Sequence, residues 1–339
     1  MKELQDILQG IRQGQAAGEA LVLATVVRVS GSAYRHPGAR LLLGAEGPRI
    51  GCVSGGCLEG DLQARAAEVL ASGRSRLFRY DLRGDLDLIW GSGSGCEGVA
   101  EVLLEPILPG PVPAWVEWIE GSLRDRRTLR LGTVFEVGPG AAAAVGDHLL
   151  LAEGMDLPAG CTGLVESLQP PVALWILGAG DDVRPLFDLA RTLGWQVGIA
   201  DHRRAFADPA RFPGADSVLV GRPGETVPRM ALDGRSAVVM LTHLWERDRE
   251  ALALLLPSPA AYLGLLGHRR RGALLLESLA ADGVHFPADQ VRRLYSPVGL
   301  DLGGQEPGEI ALAVAAEVAA VLNGRGAGHL RDRKAALHG

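Results

Sequence analysis

The sequence predicts an α/β protein, with an N-terminal α/β domain followed by a C-terminal Rossmann-like domain built on a doubly wound parallel sheet. Three observations carry this. Short runs rich in Val, Leu and Ile alternate with amphipathic helix patterns along most of the chain. The 46 glycines and the low aromatic content of 5% fit many tight turns joining Ala- and Leu-rich helices. Finally, the buried-strand run Val172 to Leu177 meets Gly178-Ala179-Gly180 at once. A helix pattern, a second strand and Asp201 follow, which is the order of a dinucleotide-binding unit.

With 339 residues, 47% of them hydrophobic, the chain is long enough for two well-packed domains. Pro170-Pro171 marks the boundary, giving an N-terminal domain over 1–169, a Rossmann-like domain over 170–325 and a basic, loose tail over 326–339. The formal net charge of -6 argues against nucleic acid as a partner, since that needs a basic face. No apolar run reaches the length of a membrane span, so a soluble protein without a membrane partner is expected. The four cysteines, Cys52, Cys57, Cys96 and Cys161, follow no zinc spacing and are too few for a disulfide scaffold. A reducing cytoplasm is the expected compartment.

Met1 to Gln15 reads as an amphipathic helix with Leu4, Ile7, Leu8 and Ile11 on one face, and not as a secretory signal. Leu21 to Val29 is a strand. The loop Ser30 to Arg40 carries Arg35, His36 and Arg40. Leu41 to Leu43 and Pro48 to Val53 form a hairpin, and a helix runs from Leu58 to a stop at Ser72-Gly73. Leu77 to Tyr80 and Val99 to Leu104 are strands, separated by a charged stretch and the glycine-rich turn Gly91 to Gly98. The pattern weakens from Gly110 to Leu168. Pro113 opens a helix with Trp115, Trp118 and Ile119 on one face, and Thr128 to Val137 and His148 to Ala152 read as strands.

In the second half, a helix covers Asp182 to Leu193, and Gln196 to Ala200, Ser217 to Val220, Ala237 to Leu241 and Tyr262 to Leu266 are strands. Pro307 to Leu322 is a helix with Ile310, Val314, Val318 and Val321 on its buried stripe.

The chemistry-bearing stretch is Ser54-Gly55-Gly56-Cys57, at a strand-to-helix junction. Paired glycines there leave backbone N–H groups bare for an anion, and a thiol at a helix N-terminus is favoured as thiolate. That combination suits a soft metal centre or thiol chemistry on a phosphorylated ligand. The plainer reading is a tight turn with a small buried cysteine as filler. The second glycine-rich turn carries Cys96, and the two turns read as two sides of one site. In the second domain the expected nucleotide contacts are Gly178, Gly180 and Asp201, although Val183 stands where the fingerprint has its third glycine. Thr242, His243 and the run Arg269 to Arg271 follow strand ends, where ligands of open α/β sheets sit.

A set of collinear stretches over roughly residues 20 to 322 matches a known family pattern. They comprise Gly31-Ser32 with Pro37 to Arg40, Val53 to Glu59, Trp90-Gly91 with Gly95 to Gly98, Leu177 to Gly180 with Asp201, Thr242-His243, Gly267 to Arg271, and Pro297 to Asp301 with Pro307 to Ala311. On these the chain resembles the XdhC/CoxI family of accessory proteins for molybdenum hydroxylases. The resemblance implies a molybdenum cofactor chaperone. Its cargo would be molybdopterin or its cytosine dinucleotide. Its partners would be a cysteine desulfurase that sulfurates the cofactor and a hydroxylase of the xanthine or carbon monoxide dehydrogenase type. It also implies a homodimer. Cys57, helped by Cys96, would contact molybdenum; Ser54, Gly55 and Gly56, with the loop Gly93 to Gly98, would hold phosphate or pterin, and Arg35 and Arg40 would offset anionic charge. Three positions depart from the family: Cys52 where Ser or Thr is usual, His268 where Ser is usual, and Glu306 where Thr or Ser is usual, which weakens an N-cap before Pro307. Two alternatives stand beside this reading. One is an NAD(P)-dependent oxidoreductase with Asp201 favouring NAD and His243 as proton relay. The other is a thiol–disulfide protein using Cys57 and Cys96.

Overall fold

The computed structural model describes residues 1–31, 34–44, 50–81 and 98–333. The turn carrying Cys96 lies outside the described residues. The chain divides into two compact units between Pro170 and Pro171.

The first unit is a five-stranded antiparallel sheet with helices on both faces, plus a small three-stranded sheet. Helix α1 (Lys2–Ala17) leads into β1 (Leu21–Gly31), β2 (Arg40–Gly44), β3 (Ile50–Gly51), α2 (Glu59–Ser72), β4 (Arg76–Asp81) and β5 (Gly98–Ile107). The sheet order is β3-β2-β1-β5-β4. Strand β1 alternates with period two, as a strand covered on both faces must. Leu21 and Leu23 pack against Ile7 and Ile11 of α1, while Val22, Ala24 and Val26 pack against Leu62, Ala66 and Val69 of α2. Helix α1 ends at Gly18 and α2 at Gly73, both left-handed, as a glycine stop allows. Helix α3 (Ala114–Arg124) adds Trp115, Val116 and Ile119 to the α1 core.

The small sheet is β7 (His148–Leu151), β6 (Leu129–Val137) and β8 (Cys161–Leu168), in the order β7-β6-β8. Strand β8 has no counterpart in the sequence reading. Its residues alternate between half-buried and exposed, with no buried position, so no apolar period marks it. The expected strand over Pro48 to Val53 is shorter, with only Ile50 and Gly51 paired to β2 among the described residues.

The second unit is the doubly wound domain. Its strands are β9 (Ala173–Leu177), β10 (Gln196–Asp201), β11 (Ser217–Val220), β12 (Ser236–Met240), β13 (Tyr262–Leu265) and β14 (Leu294–Tyr295). They lie in the order β11-β10-β9-β12-β13-β14, all parallel. Numbered within the unit this is 3-2-1-4-5-6, the Rossmann order, with its switch point between β9 and β12. Helices α4 (Arg184–Thr192) and α9 (Pro307–Leu322) cover one face, over Leu174 and Ile176 of β9. Helices α6 (Trp245–Leu255) and α7 (Arg271–Ala281) cover the other, over Trp175 and Leu177. Two short helices, α5 (Pro223–Thr226) and α8 (Ala288–Val291), fill connections.

Two expectations are corrected here. The helix after Gly180 opens with a 3₁₀ turn over Asp181–Val183, and α4 begins only at Arg184. Val183, in the third-glycine position, is fully buried in the core beneath that turn. The N-terminus of α9 is not left weak by Glu306. Glu309 reaches back from the first turn, its Oε2 accepting the N–H groups of Gln305 at 2.8 Å and Glu306 at 3.0 Å. Among the described residues no helix is long and apolar enough to cross a membrane.

Candidate functional site

In the first unit, one end of the large sheet gathers the sequence-predicted residues. Gly31 pairs with Gly98 and Asp81 with Val99, so β1 and β4 leave the sheet where β5 enters it. The first turn of α2 lies at that end, because Asp61 accepts the Tyr80 hydroxyl at 2.7 Å. Tyr34, in the loop after β1, lies over Gly55, its ring 3.7 Å from where a Cβ on that glycine would stand. Gly55 and Gly56 are exposed and Cys57 is half-buried, just before α2, against the Leu58 and Leu62 cluster.

The turn itself is built differently from the expected cradle of bare N–H groups. The Ser54 hydroxyl accepts from the N–H of Gly56 and of Leu58, both at 3.1 Å, and donates to Glu59 Oε2. One donor and two lone pairs are thereby used up. Glu59 Oε1 accepts the Ser54 N–H at 3.0 Å. The buried Glu59 carboxylate is therefore the protein's own anion at the N-terminus of α2, where the helix dipole favours one. Burial acts to raise its pKa, but the Ser54 hydroxyl and the backbone N–H groups of Glu59, Ser54 and Leu58 outweigh it and hold it below the usual range. Cys52 donates its thiol to Ser54 O at 2.6 Å, and burial first, then the charge of Glu59, push that thiol up.

The two arginines part company. Arg35 is half-exposed, paired with Glu3 at 2.6 Å, and close enough to Cys52 to act on its thiol. Arg40 is engaged within the protein. It is 5% exposed, its guanidinium forked onto Glu166 of β8 and donating to Gly38 O at 2.9 Å. A buried guanidinium needs such partners before any other use.

In the second unit, Gly178 and Asp201 lie at the switch point. A Cβ on Gly178, at φ +110°, would stand 2.4 Å from Leu241 O, so only glycine lets β9 and β12 end this close together. Gly180 starts the 3₁₀ turn. Asp201 accepts the Ala179 N–H at 2.9 Å, tying the glycine loop to β10. Its carboxylate, expected from the sequence to contact a nucleotide, also holds the protein's own Arg203, with Nη2 at 2.7 Å and Nε at 3.0 Å. Burial would raise the Asp201 pKa, yet the Arg203 side chain and backbone, with Ala179, bring it below the usual range.

Thr242 contacts Asp248 through its hydroxyl at 2.5 Å, and the fully buried Asp248 takes the Arg271 guanidinium at 2.6 Å. His243, exposed and at φ +58°, pairs through Nε2 with Asp182 at 2.9 Å. Arg269 stands exposed at the turn before α7. The crevice between Gly178, Asp201, Thr226, Thr242 and Arg247 has room of about 20 Å³, the scale of one water molecule, and a further hollow of about 270 Å³ lies against Gly180, Asp181, Arg184 and Arg211. The sequence reading missed Glu59, Asp248 and Arg203. Arg203, two residues after Asp201, is the one whose proximity was readable.

Both carboxylates predict a pH dependence. A group held below its unfolded pKa contributes stability that is whole above the unfolded value, about 4.3 for Glu and 3.9 for Asp. That stability is lost as pH falls through it towards the lowered folded value. Glu59→Gln and Asp201→Asn should each flatten the fall in urea midpoint that the parent protein shows below pH about 5. Parallel slopes for parent and variants would contradict the assignment.

Comparison with known proteins agrees with this architecture. A family model described as the XdhC and CoxI family matches residues 15–81, and one described as the XdhC Rossmann domain matches residues 174–318. Over 318 residues the chain is 33% identical to a probable xanthine dehydrogenase subunit of Bacillus subtilis, covering 88% of this chain and 92% of that one. It is 26% identical over 318 residues to the molybdenum cofactor insertion chaperone PaoD of Escherichia coli, covering 93% and 87%. A crystal structure of a xanthine dehydrogenase from Bacillus halodurans superposes with a TM-score of 0.80 at 28% identity, over 96% of this chain and 97% of that one.

Proposed function

The chain belongs to the XdhC and CoxI family, and from that premise we propose that it is a molybdenum cofactor chaperone. It binds a molybdopterin-type cofactor, supports its sulfuration by a cysteine desulfurase and inserts it into a hydroxylase of the xanthine dehydrogenase type. The observation that carries the reading is the half-buried Cys57, at the exposed Gly55-Gly56 turn, at the sheet end where the loop carrying Arg35 converges. Among the described residues no three His, Cys, Asp or Glu side chains group to hold a metal. A molybdenum ion here would arrive with the sulfur ligands of its own pterin, and Cys57 would add one soft thiolate. Cargo held by a single protein ligand can be handed on. The Ser54 and Glu59 network would fix the turn on both sides of Cys57, and Arg35 would face the phosphate. Cys96 would join the site from the second turn, and the working form would be a homodimer in the cytoplasm.

The oxidoreductase alternative finds less support, because Asp201 is engaged by Arg203. The test is molybdenum and pterin content after anaerobic purification from a cofactor-producing host. The parent protein should carry near-stoichiometric cofactor, and Cys57→Ala should carry about tenfold less, the loss of one charge-assisted contact or more. Equal occupancy in both would remove Cys57 from the site. No cofactor in either, with NAD bound in titration calorimetry, would favour the oxidoreductase.

A further inference from the structure

Tyr34 is an aromatic side chain that the fold leaves in water. It is 65% exposed, and no other Trp, Tyr or Phe is exposed among the described residues. A ring this open forgoes the apolar burial that an aromatic side chain normally contributes. Its place is nevertheless set. The next residue, Arg35, is tied to Glu3 of α1 at 2.6 Å, and the loop returns to β1 where Gly38 N–H donates to Val26 O at 2.8 Å. Ring atoms Cδ2 and Cε2 lie 3.7 and 3.8 Å from where a Cβ on Gly55 would stand, which is ordinary contact distance. The glycine turn beside the ring has donors to spare. The Ser54 hydroxyl accepts the N–H groups of Gly56 and Leu58, while those of Gly55 and Cys57 donate to no group among the described residues.

An open aromatic ring beside two unpartnered backbone donors suits a planar heteroaromatic ligand. Such a ring stacks on a tyrosine face and carries hydrogen-bond acceptors on its edge. A protein partner fits less well. Aromatic anchors of protein interfaces sit among other apolar contacts, and over residues 35–107 no large apolar side chain is exposed among the described residues. We propose that Tyr34 is the stacking platform for the ligand's heteroaromatic ring, with the N–H groups of Gly55 and Cys57 meeting its acceptor edge. This rests on the reading of the site as that of a molybdopterin-type cofactor, whose pterin and, in the dinucleotide form, cytosine are both rings of this kind. It needs no metal and assigns ring binding to a residue outside the Gly-Gly-Cys turn.

The test titrates hydroxymethylpterin, and separately cytidine, into full-length protein made in a host that lacks the cofactor. Quenching of pterin fluorescence reads the first and titration calorimetry the second. Tyr34→Leu should weaken binding about tenfold or more, the scale of one base stacked on an aromatic side chain, while Tyr34→Phe keeps the ring and should stay within about twofold of the parent. With the side chain in water, the urea midpoint should not move in either variant, which checks the fold. Whichever ring loses affinity in Tyr34→Leu is the one seated on Tyr34. No binding of either ring by the parent protein, or parent affinity for both in Tyr34→Leu, overturns the proposal. Molybdenum content that still depended on Cys57 would then leave the carrier reading standing without Tyr34.

Discussion

Gly178→Ala should unfold most of the second unit's sheet around the switch point. The new methyl group would stand 2.4 Å from Leu241 O and 2.7 Å from its carbonyl carbon. Both are backbone atoms, so no rotamer change relieves the contact. Leu241 is itself held by its N–H to Leu177 O at 2.7 Å, and Gly178 by its N–H to Ala200 O at 2.8 Å. Relief therefore means parting β9 from β12 or β10 at the centre of the six-stranded sheet. The positive φ adds about 1–2 kcal/mol for a residue with a Cβ. With the lost packing the expected cost is about 4 kcal/mol or more, at the extreme of single substitutions. Urea unfolding followed by near-UV dichroism should show it, with Gly60→Ala as the control. Gly60 lies in α2 with open space where its Cβ would be, and should gain up to about 1 kcal/mol from helix propensity. A Gly178→Ala protein that unfolds at the parent's midpoint would refute the close approach.

Breaking the ion pair of Arg40 and Glu166 should be the largest effect in the first unit. Their side chains are 6% and 13% exposed, and the pair joins β2 of the large sheet to β8 of the small one. Glu166→Ala strips a buried guanidinium of its carboxylate and leaves it the neutral Gly38 O, at an expected cost of about 3–5 kcal/mol. Replacing both residues by leucine should cost far less, because no charge is then stranded. A double-mutant cycle on urea midpoints measures the difference as a coupling energy. If Glu166→Ala left stability unchanged, the pair would not be structural and Arg40 would again be open to a ligand role.

The regular elements were legible because their periods were. Leu4, Ile7, Leu8 and Ile11 repeat at helical spacing and are buried together. Val172 to Leu177 is apolar at every position because β9 is covered on both faces. Strand β8 was invisible because its residues serve an edge of a small sheet, and Gly163 within it reflects close approach to Thr133 O rather than a turn. The site was legible as a list of positions but not as a set of partners. Nothing local pairs Arg40 with a glutamate that follows 126 residues later. Nor does spacing say that Ser54 spends its hydroxyl on Gly56, Leu58 and Glu59, since a capping pattern has its acid three residues on and here it stands five on. Asp201 was placed correctly on its strand, while its company, Arg203, decides what it can do.

The way β1 is paired has a bearing on how the chain acquires its structure. Strand β1 finds β2 within a hairpin's reach, but its longest pairing is with β5, from Leu21 against Ile107 to Gly31 against Gly98. During synthesis, the sheet's central strand must wait for β5 with one edge open, after α1, α2 and β4 have all been made. Contacts this distant along the chain close late and slowly. The first unit thus spends its early life as a hairpin with an uncovered apolar strand. The second unit, knit largely by neighbouring strand–helix–strand steps, can assemble each piece nearly as it appears.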